Sequence, residues 1–268
     1  MRKIKLRSFP CSYYIDVGNI CNLKCVLCPT ANHSISINKM FMDFETYKKI
    51  FDKIKDYAFF VKLYKWGEPF LNKDILKIIE YTKKNKVGVI ISTNFNLATD
   101  NLIESLVKLK VDRIIISLDG TNQKSYSSYR RNGNFNQVME NMEKLIMKKR
   151  ELNSNKPDVV WQYLVNKKNE SFIQTAKKMA EEIGVGIEFP KFQISQEIVK
   201  IGEEINWNLV EEWIPDKLKN NPINYLFVDN PPCNFLYHTM TINPDGAVMP
   251  CCAIYDPKKI LGIYWRIL

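Results

Sequence analysis

The sequence has no apolar run long enough to cross a lipid bilayer. Its longest apolar stretches, such as 87–91 and 260–264, are far shorter than the roughly 20 residues that a transmembrane helix needs. The basic N-terminal residues 1–9 are not followed by a continuous apolar segment, so no secretory signal is expected. We therefore expect no membrane association and a cytoplasmic location.

Arginine and histidine are scarce. The net charge is +10, with 39 Lys and Arg residues, but most are scattered lysines and few are arginines. Nucleic-acid binding is not expected, because phosphate-binding surfaces usually include arginines, whose planar guanidinium groups bind two phosphate oxygens at once. The two histidines, His33 and His238, give no basis for a histidine acid–base pair, and the sequence has no P-loop.

Cysteine is absent from residues 29–232, and this gap separates two cysteine groups. Six of the seven cysteines lie in the two groups: Cys21, Cys25, Cys28, Cys233, Cys251 and Cys252. An odd number of cysteines without an export signal argues against a disulfide scaffold and favours metal or redox chemistry.

Strand-like and helix-like patterns alternate between the two groups. Six apolar runs predict strands, each followed by apolar residues at helical spacing: 12–17, 59–64, 87–92, 112–118, 159–165 and 185–189. Such alternation predicts a parallel sheet, either a partial (β/α) barrel or an open doubly wound sheet. In both, ligands bind at the carboxyl ends of the strands. A polar connecting segment follows at 191–232, partly helical around 210–214.

The first cysteine group has the spacing CxxxCxxC and directly follows the first predicted strand. Three thiolates on one loop can hold three irons of a [4Fe–4S] cluster and leave the fourth iron open. Structural zinc is the alternative, with His33 or Cys11 as the fourth ligand that a closed tetrahedral site requires.

This motif and four others, in order along the strands, resemble the radical S-adenosylmethionine (radical SAM) enzymes over residues 12–190. KWGEP at 65–69 is similar to the family's Gly-Gly-Glu-Pro motif, and STN at 92–94 stands where Thr-Asn-Gly is common. SLDG at 117–120 and YRR at 129–131 follow. Leu27 departs from the aromatic residue usual before the third cysteine. The resemblance implies a partial (β/α)6 barrel over 1–190.

The resemblance also implies the site. A [4Fe–4S] cluster on Cys21, Cys25 and Cys28 would bind the amine and carboxylate of S-adenosyl-L-methionine through its open iron. The residues implied to bind that cosubstrate lie at the ends of strands two to four and just after them: Gly67, Glu68, Pro69, Thr93, Asn94, Ser117 and Arg130. Glu68 or the turn at Gly67 would accept from the amine, and Arg130 would grip the carboxylate.

The second cysteine group has the spacing C-x12-G-x4-C from Cys233 through Gly246 to Cys251. It resembles the opening of a SPASM or shorter twitch extension, which houses auxiliary iron–sulfur clusters. Residues 243–246 predict a tight β-hairpin turn. The extension normally supplies further cysteines downstream, so 233–268 is interpreted as a truncated version. A second cluster is then doubtful, unless Cys252, Cys11 or an external ligand completes its site.

The implied activity is reductive cleavage of S-adenosylmethionine to a 5′-deoxyadenosyl radical, which abstracts hydrogen from substrate. Small-molecule or sugar-like compounds and peptides all suit such an extension, and the small C-terminal region favours a small molecule. A flavodoxin or ferredoxin would donate the electron. A metal- or cluster-bearing RNA-binding protein, or an inactive fragment of a longer SPASM enzyme, are the alternatives.

Overall fold

The computed structural model describes residues 9–32, 38–190, 200–201, 204–216, 238–249 and 261–263. His33, Cys233, Cys251 and Cys252 lie outside the described residues. No helix in the described ranges is both long and apolar enough to cross a membrane.

Thirteen strands lie in the described part of the chain: β1 (Ser12–Ile15), β2 (Lys24–Cys25), β3 (Phe60–Lys62), β4 (Gly88–Thr93), β5 (Arg113–Ser117), β6 (Arg130–Arg131), β7 (Asp158–Gln162), β8 (Gly186–Glu188), β9 (Lys200–Ile201), β10 (Glu204–Ile205), β11 (Thr239–Ile242), β12 (Ala247–Met249) and β13 (Gly262–Ile263). The same residues contain seven α-helices: α1 (Phe44–Ile54), α2 (Ile75–Lys84), α3 (Asp100–Lys108), α4 (Gln123–Tyr129), α5 (Phe135–Glu151), α6 (Ile173–Ile183) and α7 (Trp207–Trp213). Short 3₁₀ turns lie at Pro69–Leu71 and Glu170–Phe172.

The six predicted strands form a parallel sheet in their order along the chain, β1-β3-β4-β5-β7-β8. A doubly wound sheet reverses its strand order at a switch point, and this sheet does not. Helices α1, α2, α3, α5 and α6 each pack against the next, so they form one layer on one face. The partial-barrel prediction is therefore confirmed. Within the described residues the sheet does not close into a barrel.

The two faces of the sheet differ in chemistry. Residues such as Ile15, Val61 and Ile91 are buried in the core against the helical layer. Because side chains alternate along a strand, their neighbours point to the opposite, concave face. Tyr14 and Lys62 lie there side by side at paired positions of β1 and β3 and are half-buried. The concave face therefore carries half-buried polar side chains at β1 and β3, whereas a closed barrel fills this space with branched apolar residues.

The predicted hairpin near 243–246 is confirmed. Strands β11 and β12 pair antiparallel, and the Gly246 N–H donates to the Asn243 carbonyl at 2.9 Å. Gly246 has φ +81°, a conformation that glycine adopts without steric cost. Strand β11 also pairs in parallel with β1, so the hairpin extends the core sheet at its β1 edge. The helix predicted around 210–214 is present as α7.

Candidate functional site

The cysteine loop leaves the carboxyl end of β1 and is held by its own backbone. Cys25 lies in β2, and the Cys28 N–H donates to the Cys25 carbonyl at 3.2 Å. Cys21, Cys25 and Cys28 are free thiols that share one apolar cluster. That cluster also contains Leu23, Leu27, Leu164, Tyr129, Leu209, Val210, Trp213 and Ile214. The helix α7 therefore covers the loop with apolar side chains.

Arg130 is brought to the cysteine loop by a two-stranded sheet. Strand β6 pairs antiparallel with β2, so that Arg130 lies opposite Cys25. One Nη of Arg130 lies 4.0 Å from the Cys25 Sγ, and its Nε donates to Asp119 Oδ2 at 2.6 Å. Asp119 is fully buried and accepts from the Leu164 N–H at 2.6 Å. This ion pair ties the cysteine loop to the ends of β5 and β7.

Glu68 links the turn after β3 to the end of β4. Its carboxylate, 2% exposed, accepts from the Thr93 hydroxyl at 2.6 Å, the Asn94 N–H at 2.8 Å and the Phe70 N–H at 3.1 Å. Burial raises the pKa of Glu68, and these three hydrogen bonds lower it. Pro69 begins the 3₁₀ turn that Glu68 caps. A carboxylate has about four lone-pair sites, and three of them are occupied by these hydrogen bonds. Glu68 can therefore accept one further hydrogen bond.

Asn94 connects Glu68 to the first cysteine. Its side-chain amide donates to Asn22 Oδ1 at 2.8 Å and lies 3.8 Å from the Cys21 Sγ. The Leu23 N–H also approaches Cys21 Sγ, at 3.4 Å. Two N–H groups therefore point at this sulfur, an arrangement that favours a thiolate.

Gly67 lets the turn after β3 lie directly on the cysteine loop. A Cβ at this position would lie 2.1 Å from the Gly18 carbonyl oxygen and 2.7 Å from that of Ile20. The Glu68 N–H donates to the same Ile20 carbonyl at 2.9 Å. Only glycine permits this approach, because a side chain at this position would collide with backbone atoms, which cannot move aside as the end of a side chain can.

Burial dominates the acid–base behaviour of two of the thiols. It raises the pKa of Cys21 to about 11 and that of Cys25 to about 12, while Arg130 beside Cys25 acts in the opposite direction. Both thiols are therefore protonated near neutral pH when no metal is bound. Binding of iron must release their protons.

The donor set has the chemistry that a cluster requires: three free thiols on one loop, with the Arg130 cation beside Cys25. In the part of the chain that the structure describes, no three Cys, His, Asp or Glu side chains converge enough to hold one metal ion. Zinc requires thiolates within about 2.3 Å of one centre. A [4Fe–4S] cluster takes each thiolate on a different iron, so its ligands are spread around a larger body. Cys21, Cys25 and Cys28 would hold it.

Cys11 lies at the other edge of the sheet. It precedes β1, and its Sγ is 3.8 Å from the His238 carbonyl oxygen. The cysteine loop follows β1, so at least about 13 Å of strand separates the two. The alternative in which Cys11 serves as a fourth ligand beside Cys21 is therefore wrong.

The structure brings most of the predicted site residues to one edge of the sheet. Cys21, Asn94, Glu68 and Thr93 form one hydrogen-bonded chain. Ser117 lies two strands from Glu68 and donates to Gln162 Oε1 at 3.3 Å. Their roles toward S-adenosylmethionine stay predictions.

Sequence reasoning missed the roles of Asn22, Asp119, Gln162 and Asp16. Asp119 stood within the SLDG motif, where it could have been identified as a buried partner for Arg130. Asp16 ends the first predicted strand, and it is a fully buried acid whose Oδ2 has no hydrogen-bond partner among the described residues.

The fold and site define a class: a partial (β/α) barrel with a three-thiol loop at the carboxyl edge of its sheet. The model of the Radical SAM superfamily matches residues 15–154. The chain therefore belongs to the Radical SAM superfamily, a family of enzymes.

Two relatives of known name match part of the chain. A probable GTP 3′,8-cyclase of Methanocaldococcus jannaschii is 30% identical over 135 residues, 50% of this chain and 45% of that protein. The AdoMet-dependent heme synthase of Methanosarcina barkeri is 27% identical over 167 residues, 61% of this chain and 45% of the relative. The chain thus spans less than half the length of these relatives.

A solved structure shares the fold over nearly the whole chain. Streptococcus suis SuiB bound to S-adenosylmethionine superposes with a TM-score of 0.73 and 17% identity, covering 97% of this chain and 65% of SuiB. SuiB has also been solved with its precursor peptide SuiA, with a TM-score of 0.68 and 15% identity, covering 97% of this chain and 63% of SuiB.

Proposed function

We propose that this chain binds a [4Fe–4S] cluster through Cys21, Cys25 and Cys28 and cleaves S-adenosyl-L-methionine reductively. When bound, such a cluster supplies the electron that breaks the sulfonium bond, and the 5′-deoxyadenosyl radical released removes a hydrogen atom from the substrate. The observation that carries the proposal is the hydrogen-bonded chain from Cys21 through Asn94 to Glu68 and Thr93. It ties the cysteine loop to the adjacent turn and strand end.

The protein's own residues contribute position and shielding. Arg130 is a fixed cation beside Cys25, suited to an anionic group such as the methionyl carboxylate. Glu68 and the backbone at Gly67 offer acceptors for its ammonium group. Trp213 and Tyr129 stack edge to face with ring centroids 5.5 Å apart over the cysteine loop, which keeps water from a reactive intermediate.

For the substrate we propose a small-molecule or sugar-like compound, with a peptide as the alternative. The half-buried polar side chains on the concave face support a hydrogen-bonding ligand. SuiB acts as a precedent for the alternative, because it has been solved with a precursor peptide.

The remaining assignments are proposals as well. A flavodoxin or ferredoxin is proposed as the electron donor. The four described cysteines are free, which supports a reducing cytoplasmic compartment. Residues 1–190 are proposed as the catalytic core, 191–232 as a connection and 233–268 as a SPASM/twitch-like segment, in which Cys233 and Cys251 would be ligands of any auxiliary cluster.

Anaerobic reconstitution with iron and sulfide tests the proposal. We expect a brown protein that converts S-adenosylmethionine to methionine and 5′-deoxyadenosine after reduction with dithionite. The variant with Cys21, Cys25 and Cys28 all changed to Ala should lose both properties. A triple variant that keeps its iron and its cleavage activity would overturn the proposal, and so would a colourless protein containing zinc.

A further inference from the structure

The small sheet that carries Cys25 has an inner and an outer face. Cys25 is buried and lies opposite Arg130, whereas the preceding Lys24 and its partner Arg131 are exposed. Because successive side chains of a strand point to opposite faces, Lys24 and Arg131 stand on the solvent side of the same two strands. This outer face lies directly behind the proposed cluster.

Two segments around this face contain only basic charges. Residues 17–42 and 120–139 include no Asp or Glu, and their five basic residues are Lys24, Lys39, Lys124, Arg130 and Arg131. Arg130 is neutralised by Asp119. Among the described residues, the other four make no ion pair and all are exposed. On the neighbouring α7, Glu212 is paired with Lys168.

The placement of Lys24 opposite Arg131 costs stability. Like charges directly opposite each other on paired strands repel, and a two-residue strand has little other stabilisation. Some exposed lysines are paired with carboxylates along helices, as Lys84 is with Glu80, whereas others, such as Lys49 and Lys178, are exposed without an ion pair among the described residues. Lys24 and Arg131 differ from those single lysines because two cations without ion pairs are held directly opposite each other on paired strands.

We propose that Lys24 and Arg131 form the docking surface for an acidic electron-donor protein. The partner presents carboxylates to this face and so brings its redox group to the outer side of the cysteine loop. This inference rests on the proposed function, because it assigns the surface through which the cluster is reduced. Complementary charge at such a surface acts mainly on the rate of association.

The test compares a protein reductant with a small one, on the full chain carrying its reconstituted cluster. Reduced flavodoxin of net negative charge and dithionite are each mixed anaerobically with the protein, and bleaching of the cluster absorbance is followed by stopped flow. The variant is Lys24→Glu with Arg131→Glu. The matched control is Lys49→Glu with Lys178→Glu, two exposed lysines on α1 and α6 that give the same change in net charge.

At about 10 mM ionic strength, where the screening length is roughly 30 Å, we expect the variant to be reduced by flavodoxin about tenfold more slowly than the control. At about 1 M salt, where the screening length is roughly 3 Å, the two rates should converge. At about 1 M salt, where the negative charge of dithionite is screened too, dithionite should reduce both proteins equally. The neutral variant Lys24→Gln with Arg131→Gln should fall between the wild type and the charge-reversed protein.

Equal rates of reduction by flavodoxin for variant and control at low salt would contradict the proposal that Lys24 and Arg131 form a docking surface. So would a slower reaction of the variant with dithionite at about 1 M salt, because that result would mean that the substitutions act on the cluster itself. Failure of the proposed function gives a different result. In that case the wild-type chain holds no cluster that dithionite can bleach, and no S-adenosylmethionine is cleaved.

Discussion

Glu68 joins the turn after β3 to the end of β4 through its two carboxylate oxygens. Its replacement tests whether that link stabilises the fold. In Glu68→Gln, an amide NH₂ replaces one oxygen that accepts from a backbone N–H or from Thr93. A buried donor left without an acceptor costs on the order of 1–3 kcal/mol. We expect a loss of that size in the free energy of unfolding, measured by urea denaturation.

The control is Glu80→Gln, at a half-exposed carboxylate paired with Lys84 on α2. Exposed ion pairs along a helix contribute about 0.3–0.5 kcal/mol, so Glu80→Gln should lower the free energy of unfolding by no more than that. An equal effect of the two substitutions would mean that Glu68 does not connect the turn to β4.

Asp16 makes the stability of the protein depend on pH. Burial raises its pKa to about 7, against the lowering effects of Lys65 and of the Gly18 and Trp66 N–H groups. In the unfolded chain an Asp titrates near 3.9, so between about pH 4 and 7 the folded state alone holds the proton. The contribution of protonated Asp16 to the free energy of unfolding is therefore complete below about pH 4 and is lost as the pH rises through 7.

The slope due to this one proton approaches about 1.4 kcal/mol per pH unit in that window. We expect Asp16→Asn to remove this slope from the free energy of unfolding measured by urea denaturation between pH 4.5 and about 7. Parallel pH profiles for wild type and variant would show that Asp16 titrates at its ordinary pKa in the fold.

At the scale of elements, Gly67 allows the turn at 65–69 to pack directly against the backbone that leads into the cysteine loop. Gly67→Ala would place a methyl group 2.1 Å from the Gly18 carbonyl oxygen, which no side-chain movement can relieve. We expect a loss of about 1–3 kcal/mol in unfolding free energy and weaker retention of iron after reconstitution, because the two segments must separate.

Gly186→Ala is the matched control. A Cβ there meets the Val159 carbonyl oxygen at 3.8 Å, which is ordinary van der Waals contact. This variant should keep the wild-type melting temperature and iron content within error. If Gly67→Ala behaves the same way, the close approach of the two loops is not required.

The sequence predicted the long elements well because their apolar spacing is strong. Each of the six parallel strands was found within a few residues of its observed position. Helix α4 was missed because its residues, QKSYSSY, are rich in serine and show little apolar periodicity. Its start is instead fixed by a capping box between Asn122 and Ser125.

Pairings between distant short segments had no local signal at all. Strands β2 and β6 have two residues each, and β11 pairs with β1 across more than 200 residues of chain. For the same reason the motifs identified Glu68, Asn94 and Arg130 one by one, but the contacts that join them required the fold. Asp119 stood within the SLDG motif as a candidate partner for Arg130, and the fold supplies the 2.6 Å contact between them.

At the scale of the whole molecule, the order in which the strands are added to the sheet determines which face and which edge remain free for a functional site. Strands added in sequence put every crossover helix on one face and leave the other face concave. The carboxyl ends of β1, β3, β4 and β5 then meet along one rim, which is where the thiols, Glu68, Thr93, Asn94 and Ser117 lie. Half-buried polar side chains such as Tyr14 and Lys62 lie on the concave face below that rim.

The same geometry limits how many clusters the chain can hold. Cys11 lies at the amino edge of β1 and cannot join the loop at the carboxyl edge. The cluster on the cysteine loop needs only three thiolates, because the proposed cosubstrate takes its open iron. Cys233, Cys251 and Cys252 by themselves leave an auxiliary cluster without a fourth ligand, and a partly ligated cluster exposed to solvent is labile. We therefore expect one stable cluster, with about four irons per chain in the anaerobically reconstituted protein.

Iron analysis and Mössbauer spectroscopy of matched variants check this expectation. Cys11→Ser and the pair Cys233→Ala with Cys251→Ala should each keep the wild-type iron content, whereas the Cys21, Cys25 and Cys28 triple variant should lose it. A wild-type content near eight irons, with half lost in the Cys233 and Cys251 variant, would contradict the expectation and establish an auxiliary cluster. Loss of iron in Cys11→Ser would also contradict the expectation, because Cys11 would then be a cluster ligand, either on the cysteine loop or in a second site with Cys233 and Cys251.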